Sequence, residues 1–523
     1  CIFTLYKNFF VTMAENKVER RIKQALISVY HKDGIEEIAK ELVKNGISIL
    51  STGGTYDFLQ SIDIEVTKVE DITGYPSILG GRVKTLHPKV FGGILSRREL
   101  ESDINEVNQY EIPPIDLVIV DLYPFEEYVK NNASQQEIIE KIDIGGISLI
   151  RAAAKNFNDV IIVSSKDDYA PLLELLKEGK GVSTIDQRRW FATRAFLTSS
   201  HYDTAIFNYF NREGVTESFS ESVTTPVSLR YGENPHQSAK YYGGVESLPE
   251  QLHGKEISYN NLLDIEAAIE LISDFSEPTV AVIKHNNACG CASRDNILDA
   301  WKDALAGDPV SAFGGIIIAN RAINEETASE IGKIFFEVII APEYTSEALS
   351  ILKEKKNRII LLSGDVKPSV KKFRSLLGGV LVQERDSYLE SDADLRVASE
   401  LAPTEEQVKD LLFANKLVKH SKSNAIVLAK GNMLLASGVG QTSRVDALKQ
   451  AIEKAHNFGF DLNGAVMASD AFFPFPDCVE IAHQAGITAV IHPGGSIRDN
   501  ESIDYCNKNN VAMIITGKRH FKH

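Results

Sequence analysis

The stretch QALISVYHKDGIEEIAKELVKNGISILSTGGT, residues 24–55, decides the fold class of this chain. Residues 24–30 form an apolar run that is typical of a short buried strand. Apolar side chains then recur at helical spacing over residues 35–43, which predicts a helix that Asp33 caps and Gly46 ends. A second apolar strand follows at residues 47–50. A strand, a helix and a strand in this order predict an α/β domain with a parallel sheet.

The same alternation continues along the first 210 residues of the sequence. Residues 115–120 are almost wholly apolar, as expected for a strand covered on both faces of a parallel sheet. Ser134 and Glu137 have the spacing of a capping box, which predicts the start of a helix. Residues 160–163 predict a further strand, and residues 184–210 predict a long helix. Ligands of such sheets bind beyond the carboxyl ends of the strands, so we expect the site there.

A second region follows a linker that we place at residues 211–225, which are rich in Ser, Thr, Glu and Gly. The predicted domains are therefore residues 14–213 and 226–523, and the polar segment 383–406 separates two halves of the second. Each half has an apolar strand beside a loop that contains Phe. Residues 315–318 follow Phe313, and residues 465–467 precede Phe472. This similarity is a weak indication of an internal duplication.

Composition restricts the class of protein. A chain of 523 residues predicts about three or four folding units, and it contains no run of about 20 apolar residues that would span a membrane. Its formal net charge of −16 argues against nucleic acid or an anionic membrane as partner. Five cysteines are too few for a disulfide framework, so we expect a reducing cytoplasm. We interpret residues 1–12 as sequence upstream of a natural start at Met13.

Two glycine-containing motifs of the first region are candidates for anion binding. Ser51-Thr52-Gly53-Gly54-Thr55 follows a strand, and its backbone N–H groups suit a phosphate, although an ordinary strand-to-helix turn explains it equally well. Residues 80–88, GGRVKTLHP, place Arg82 and Lys84 directly after two glycines. The motif lacks the spacing of a Walker loop. Because the protein is acidic, such clustered cations indicate anion binding rather than a solvated surface.

Two further motifs of the first region lie at the ends of predicted elements. Asp121 and Tyr123 follow the apolar strand, and Asp143-Ile144-Gly145-Gly146 precedes a helix that contains Lys155. Packing at the strand end and capping of the helix are the simpler explanations. Together with the glycine motifs, these segments are predicted to converge on one crevice.

The second region carries its strongest candidate, Lys284-His285, at the end of a predicted strand over residues 279–283. The lysine supplies a fixed charge, and the histidine can move a proton near neutral pH. Cys289 and Cys291 have C-x-C spacing without an upstream H-x-E motif, so we expect no metal site. Residues 472–477, FFPFPD, form a loop that suits a flat heterocycle or a subunit interface.

These motifs resemble one family over essentially all of residues 22–523: AICAR formyltransferase joined to IMP cyclohydrolase, where AICAR is aminoimidazole carboxamide ribonucleotide. The motifs that carry the resemblance are STGGT, GGRVKTLHP, LYPF and DIGG, then RYGENPHQ, KHNNACG, SAFGG, SNAI, GVGQTSRVDA, SDAFFPFPD, HPGG and RHFKH. The resemblance implies a methylglyoxal-synthase-like α/β domain followed by two cytidine-deaminase-like α/β subdomains without zinc. It also implies a homodimer with the transferase site at the subunit interface.

The resemblance implies roles for residues of the second region. Lys284 and His285 would carry formyl transfer from the co-substrate 10-formyltetrahydrofolate to AICAR, and Asn424 would hydrogen-bond at the reacting centre. The residues on the folate side would be Phe313, Gly314, Pro474, Phe475 and His523. The residues that contact the nucleotide would be Arg230, Tyr231, Glu337, Arg519 and Phe521.

The resemblance also implies the ring-closing site of the first region. Lys84, Tyr123, Asp143 and Lys155 would orient the intermediate, stabilise its oxyanion and transfer protons, without a metal. The nucleotide would contact Ser28, Lys32, Ser51, Thr52, Gly53, Gly54, Thr55, Arg82, Thr85, Gly145 and Gly146.

Four positions depart from the family pattern. The chain has Tyr30-His31 where the family often has Ser-Asp, and Asp121 stands where Asn is usual. Ala288 replaces a usual Pro. Besides the bifunctional enzyme, these departures leave open a transferase whose first domain has lost cyclisation, and a nucleotide sensor without activity.

Overall fold

The computed structural model describes residues 18–243, 247–364, 366 and 368–523. The chain divides into two compact units, Cys1–Thr224 and Thr225–His523. Our interpretation of residues 1–12 and of Met13 lies outside the described residues. The domain limits 14–213 and 226–523 remain predictions.

The first unit contains a five-stranded, fully parallel sheet in the order β4-β3-β2-β5-β6. All four residues of Leu117–Val120 are buried, because helices cover both faces of the sheet. The α/β prediction is therefore confirmed, although residues 24–30 contribute a shorter strand than expected. The strands of this unit are β1 Arg20–Arg21, β2 Gln24–Ser28, β3 Ser48–Ser51, β4 Thr67–Lys68, β5 Leu117–Val120, β6 Ile161–Val163 and β7 Val182–Ser183.

The helices of the first unit begin largely where the sequence indicates. The Ser134–Glu137 capping box is present, and the long predicted helix begins after a second capping box at Thr184. The prediction for Asp33 is wrong, since Gly34 occupies the N-cap with φ 79° and no side chain caps the helix. The helices are α1 Ile35–Lys44, α2 Gly53–Ser61, α3 Val69–Thr73, α4 Pro88–Leu95, α5 Glu101–Gln109, α6 Phe125–Lys130, α7 Gln135–Ile139, α8 Gly145–Lys155, α9 Tyr169–Lys177 and α10 Ile185–Phe210.

The second unit contains two six-stranded sheets with the same topology. Their orders are β10-β15-β14-β13-β11-β12 and β18-β23-β22-β21-β19-β20. In both sheets the successive pairs are antiparallel, parallel, parallel, antiparallel and antiparallel. Two-stranded ribbons, β8–β9 and β16–β17, complete the described strands. The strands are β8 Pro226–Ser228, β9 Lys240–Tyr242, β10 Glu250–His253, β11 Thr279–Lys284, β12 Asn287–Ser293, β13 Ile316–Ala319, β14 Val338–Ala341, β15 Ile359–Leu362, β16 Lys371–Leu376, β17 Gly379–Glu384, β18 Arg396–Val397, β19 Ile426–Ala429, β20 Leu434–Gly438, β21 Val466–Ser469, β22 Ala489–His492 and β23 Ala512–Ile515.

The matching topology confirms the internal duplication. Within the polar segment 383–406, Arg396–Val397 forms the edge strand of the second sheet, and the division of this unit at that segment remains a prediction. One hydrophobic cluster draws on both halves, from Trp301 in the first to Phe473 in the second. The helices of this unit are α11 Tyr259–Ile272, α12 Ile297–Gly307, α13 Glu325–Ile331, α14 Ser346–Lys353, α15 Glu405–Lys419, α16 Arg444–Asn457, α17 Asp477–Gln484 and α18 Asp499–Asn509.

In the part of the chain that the structure describes, no helix is long and apolar enough to cross a membrane. The same residues contain no group of three or more His, Cys, Asp or Glu side chains placed to hold a metal ion.

Candidate functional site

The site of the first unit lies where the parallel strands end, around the glycine pair that opens α2. Gly53 has φ 54°, and a Cβ atom at that position would lie 3.0 Å from the Lys84 Nζ atom. At Gly81, with φ 91°, a Cβ atom would lie 2.7 Å from the Lys84 Cε atom. The two glycines therefore let the Lys84 ammonium approach the backbone at the N-terminus of α2. Both the ammonium and the helix terminus favour an anion there.

The hydroxyl groups beside this glycine pair point into the protein. Ser51 donates to the Ile27 carbonyl at 2.7 Å, and Thr52 donates to Glu70 at 2.9 Å. Thr55 donates to the Val29 carbonyl at 2.9 Å. These three side chains hold the loop in place. The backbone N–H groups of this loop, including those of Gly53 and Gly54, are the donors that the sequence predicts for a phosphate. The nucleotide contacts of Ser51, Thr52 and Thr55 remain predictions.

Lys32 lies on the neighbouring loop after β2, which follows Ser28. Its Nζ atom donates to the Thr55 hydroxyl at 3.1 Å and also to the Val29 carbonyl. Burial lowers the pKa of Lys32, with Asp121 opposing and Lys84 reinforcing the shift. Lys32 and Lys84 therefore contribute positive charge to the same site.

Arg82 and Thr85 flank Lys84 but face different surroundings. The Arg82 guanidinium is exposed and forms an ion pair with Glu140. Thr85 is buried, and its Oγ1 atom would lie 3.3 Å from a Cβ atom at Gly145. Thr85 therefore connects the lysine loop to the start of α8.

Tyr123 and Asp143 are brought close to this loop. Asp143 accepts from the Gly146 N–H at 2.6 Å, and its own N–H donates to the Tyr202 hydroxyl at 2.9 Å. Burial raises the pKa of Asp143, whereas the hydrogen bond from Gly146 lowers it. Burial and the nearby Asp143 charge raise the pKa of Tyr123, so the phenol is protonated at neutral pH.

Lys155 is the one predicted catalytic residue of this region that the structure keeps apart. It is exposed at the last position of α8, Gly145–Lys155, whereas Asp143 precedes the first. A helix rises about 1.5 Å per residue, so roughly 15 Å of helix separates the two ends. A single copy of the chain does not bring Lys155 to the other residues.

Asp121 and His31 form a pair that the sequence did not reveal. The Asp121 carboxylate accepts from the backbone N–H groups of Tyr30 and His31, and it lies 2.8 Å from the His31 Nδ1 atom. The Tyr30 ring stands edge-to-face on the Tyr123 ring, with centroids 5.5 Å apart. The negative charge that Asp121 adds to this site is therefore hydrogen-bonded to the loop of residues 30 and 31, which holds Tyr30 against Tyr123.

In the second unit, Lys284 ends β11 beside the start of β13. Its Nζ atom donates to the Phe313 carbonyl at 2.8 Å, and a Cβ atom at Gly314 would lie 3.3 Å from it. The Phe313 ring is 63% exposed and packs against Phe335. The backbone of Glu337 is hydrogen-bonded to the residue after Gly314: the Glu337 N–H donates to the Gly315 carbonyl at 3.0 Å. Its carboxylate forms an ion pair with Lys255.

His285 and Asn286 form the turn between β11 and β12, and both have left-handed backbones, with φ 51° and 63°. The Asn286 N–H donates to Asp264 of α11 at 2.6 Å. Sequence reasoning did not identify Asp264. The contact joins residues 22 positions apart, and no motif of the sequence marks it.

Asn424 is connected to the turn through its neighbours. The Lys422 N–H donates to the Asn287 side chain at 2.9 Å. The Asn424 amide nitrogen donates to the Gln441 carbonyl at 3.0 Å, and its oxygen accepts from Arg444 at 3.0 Å. Arg444, which was not predicted, fixes the orientation of this amide.

The C-terminal tail lies against Asn424. The Lys522 carbonyl accepts from the Ser423 N–H at 2.9 Å, and the Lys522 N–H donates to the Ser423 hydroxyl at 3.0 Å. Arg519 stacks on Phe521 at 4.4 Å, and the His523 ring is next to the Phe521 ring. The structure therefore groups Arg519, Phe521 and His523.

His520 anchors this tail. It is buried between Asp386, at 2.6 Å, and Glu390, at 2.9 Å. Burial opposes protonation, but the two carboxylates prevail and raise the pKa of His520 to about 9. His520 is therefore a cation at neutral pH.

Of the remaining predicted residues, Arg230, Pro474 and Phe475 are exposed and Tyr231 is half-buried. Arg230 stacks on Tyr231 at 4.6 Å, and their loop is fastened to α11 by a hydrogen bond from Asn260 to the Glu233 carbonyl. Pro474 and Phe475 are exposed, and Arg498 lies 4.6 Å above the Phe475 ring. No described contact joins Phe475 to Phe313.

A parallel sheet with an anion-binding loop, followed by a duplicated α/β unit with a Lys–His turn, defines a two-domain enzyme that acts on anionic small molecules. Residues 34–148 match the model of the MGS-like domain, and residues 153–454 match the AICARFT/IMPCHase bienzyme model. The chain belongs to the AICARFT/IMPCHase bienzyme family.

Curated relatives agree with this assignment over their whole length. The bifunctional purine biosynthesis protein PurH of Bacteroides thetaiotaomicron is 64% identical over 98% of this chain and 100% of its own. The PurH proteins of Caldicellulosiruptor saccharolyticus and Acetivibrio thermocellus are each 50% identical over 96% of this chain and 100% of their own. The chain is a bifunctional enzyme of purine biosynthesis that combines AICAR formyltransferase with IMP cyclohydrolase.

Proposed function

We propose that the two units divide the two reactions, with 10-formyltetrahydrofolate as formyl donor. The second unit transfers the formyl group to the amine of AICAR at the Lys284–His285 turn. The first unit closes the ring of formyl-AICAR to IMP, with loss of water, at Lys84, Tyr123 and Asp143. One observation carries this division. Each unit has its own candidate lysine, and that lysine's Nζ atom lies against a glycine with positive φ: Lys84 against Gly53 in the first unit, and Lys284 against Gly314 in the second.

Formyl transfer needs a proton acceptor and a cation. The amine of AICAR is a weak nucleophile, so its proton must leave as the bond to the formyl carbon forms. His285 accepts this proton by way of the neighbouring carboxamide. Lys284 stabilises the oxyanion that develops on the formyl oxygen. When the oxyanion collapses, the bond between the formyl carbon and N10 of the folate breaks, and the proton taken up by His285 passes to N10, so that tetrahydrofolate leaves. An ammonium has three donors, and only one of those of Lys284 is used by the Phe313 carbonyl.

The folate side is the exposed aromatic surface of the second unit. Phe313, beside Gly314, and Phe475, beside Pro474, present flat apolar surfaces that suit a pterin ring. His523 lies at the end of the tail that holds Asn424. Arg230, Tyr231, Glu337, Arg519 and Phe521 are proposed for the nucleotide.

Ring closure proceeds within one bound molecule, so orientation carries much of the rate. The carboxamide nitrogen attacks the formyl carbon, and the resulting oxyanion faces Lys84. Tyr123, whose raised pKa keeps it protonated, donates a proton to the departing oxygen. The Asp143 carboxylate accepts the proton of the attacking nitrogen and returns it to the same oxygen, which then leaves as water. The formylated nitrogen gives its proton to the Tyr123 phenolate as the C=N bond of the ring forms, which restores both side chains.

We further propose a homodimer. The ribbon of Lys371–Leu376 and Gly379–Glu384 pairs with no other described strand, and it exposes Leu377, Val380 and Leu381. A two-stranded ribbon is marginally stable alone, so a second copy that covers it is expected. A second copy would also explain a catalytic role for Lys155.

We propose a cytoplasmic location, which the cysteines support. Cys289, Cys291, Cys478 and Cys506 are buried free thiols, as is typical of a reducing compartment.

The test is absorbance-monitored IMP formation from AICAR and 10-formyltetrahydrofolate. Wild type should form IMP, and Lys84→Ala should accumulate formyl-AICAR. A wild-type protein that stops at formyl-AICAR would assign to the first unit a binding role only. A protein without folate-dependent turnover would contradict the proposal as a whole.

A further inference from the structure

The two halves of the second unit repeat not only their strand order but also the turn that carries the catalytic residues. In the first half, Ile283 pairs with Ile316, and in the second half Ala429 pairs with Val466. The residues after these paired positions therefore correspond. Lys284-His285-Asn286 of the first half is matched by residues 430–432, Lys-Gly-Asn, of the second.

The contacts of the two turns match in detail. Lys284 donates to the Phe313 carbonyl at 2.8 Å, and Lys430 donates to the Asn463 carbonyl at 2.7 Å. Each acceptor precedes a glycine with positive φ, 71° at Gly314 and 77° at Gly464. The lysine contact is therefore a feature of the repeated scaffold.

Each turn is also held by an aspartate from the preceding helix. Asp264 of α11 accepts from the Asn286 N–H at 2.6 Å. Asp410 of α15 accepts from the Asn432 N–H at 2.6 Å and from the Gly431 N–H at 2.8 Å. Two helices of the repeat thus present the same carboxylate to the same turn.

The difference between the turns is the residue at the first left-handed position. Gly431 has φ 59°, a conformation that glycine adopts at little cost. His285 has φ 51° at the corresponding position, where a side chain is strained. Strain that persists at one copy of a repeat and not at the other indicates function.

We propose that Asp264 is a positioning residue for formyl transfer, because it holds the strained His285–Asn286 turn that aims the His285 imidazole. Asp410, its counterpart, stabilises a turn without an imidazole and is structural only. Asp264 lies in a setting that suits this role. Burial raises its pKa, whereas the Asn286 N–H and the nearby Lys284 ammonium lower it.

This inference rests on the proposed transfer site, and the repeat supplies its matched control. The experiment compares wild type with Asp264→Asn, Asp264→Ala, Asp410→Asn and Asp410→Ala in steady-state formyl transfer. Asn retains one acceptor oxygen without the charge, and Ala retains none. Cyclisation of added formyl-AICAR by the first unit of the same chains, and the thermal unfolding of the second unit, control for folding.

We expect kcat for formyl transfer to fall about tenfold in Asp264→Asn and about 100-fold in Asp264→Ala, with KM for the folate within about threefold of wild type. Both Asp410 variants should keep kcat within about twofold of wild type. Their thermal transition temperatures should nevertheless fall at least as far as those of the Asp264 variants. A wild-type kcat in Asp264→Ala, or equal losses of kcat in the Asp410 variants, would overturn the inference. A wild type that transfers no formyl group would instead contradict the proposed function.

Discussion

The Lys284 Nζ atom lies 2.8 Å from the carbonyl oxygen of Phe313, in a contact that Lys430 repeats with Asn463 at 2.7 Å. The two lysines therefore occupy the same place in two copies of one scaffold. Only Lys284 stands next to a histidine. Comparing Lys284 with Lys430 therefore distinguishes the effect of this lysine contact on stability from its effect on catalysis.

Lys284→Ala should lower the rate of formyl transfer by about 10²–10³-fold, the usual effect of removing a donor to a developing oxyanion. Lys430→Ala removes the equivalent scaffold contact and should leave the rate within about twofold. Initial rates with AICAR and 10-formyltetrahydrofolate decide the point. Equal losses in both variants would show that the lysine contact serves the fold alone.

Substituting His31 and Asp121, singly and together, should reveal their coupling. In His31→Asp, two carboxylates face each other, so cyclisation of formyl-AICAR should slow about 100-fold; Asp121→Asn should slow it about tenfold. The double variant, which restores the residues usual in the family, should return to within about threefold of wild type.

Formyl transfer by the second unit is the internal control for these three variants. Its rate should stay unchanged, because the substitutions lie in the first unit. Losses that multiply in the double variant would mean that His31 and Asp121 act independently.

His520 should make the second unit less stable at alkaline pH. Its pKa is raised from 6.5 to about 9, so its contribution is complete below pH 6.5 and is lost as the pH rises through 9. The contribution of His520 to the free energy of unfolding of the second unit is on the order of 3 kcal/mol. The side chain is only 3% exposed, so solvent screens it little.

The measurement is unfolding between pH 6 and pH 10, followed by Trp301 fluorescence in a Trp190→Phe background. His520→Gln should abolish the loss between pH 7 and pH 10, and His456→Gln, at an exposed histidine, should preserve it. An identical pH profile in His520→Gln and wild type would contradict the assignment.

Because Lys155 lies at the far end of α8 from Asp143, we expect it to serve cyclisation in the site of a second copy of the chain. Lys84→Ala and Lys155→Ala would then remove different contributions to each site. A mixed dimer of the two variants would regain one intact site, so random mixing should restore about a quarter of the wild-type rate. No recovery on mixing would place both lysines in the site of one chain.

The sequence predicted the architecture well because burial leaves a local record. The apolar residues 115–120 and the Ser134 capping box each depend on neighbours in the chain, and both were found as expected. Helix starts without a side-chain cap, such as the one at Gly34, leave no such record. Two strands, Gln24–Ser28 and Leu117–Val120, are shorter than the predicted ranges 24–30 and 115–120, because apolar residues continue past the last ladder hydrogen bond.

The site was predicted less completely because its partners are distant in sequence. Asp264 reaches Asn286, and Asp121 reaches His31, only after the chain has folded. The inward hydroxyls of Ser51 and Thr52 also depend on acceptors elsewhere, Ile27 and Glu70. Residue type indicated which chemistry was available, but orientation required the structure.

The duplicated sheets also bear on how such a site arises. Two identical subunits would have to keep the same residue at both copies of a turn, whether or not both were needed. Fusion of the copies into one polypeptide removes that constraint, so one turn can retain an inexpensive glycine while the other acquires a strained histidine. The covalent link therefore allows asymmetry to evolve within a scaffold whose hydrogen bonds are still symmetric.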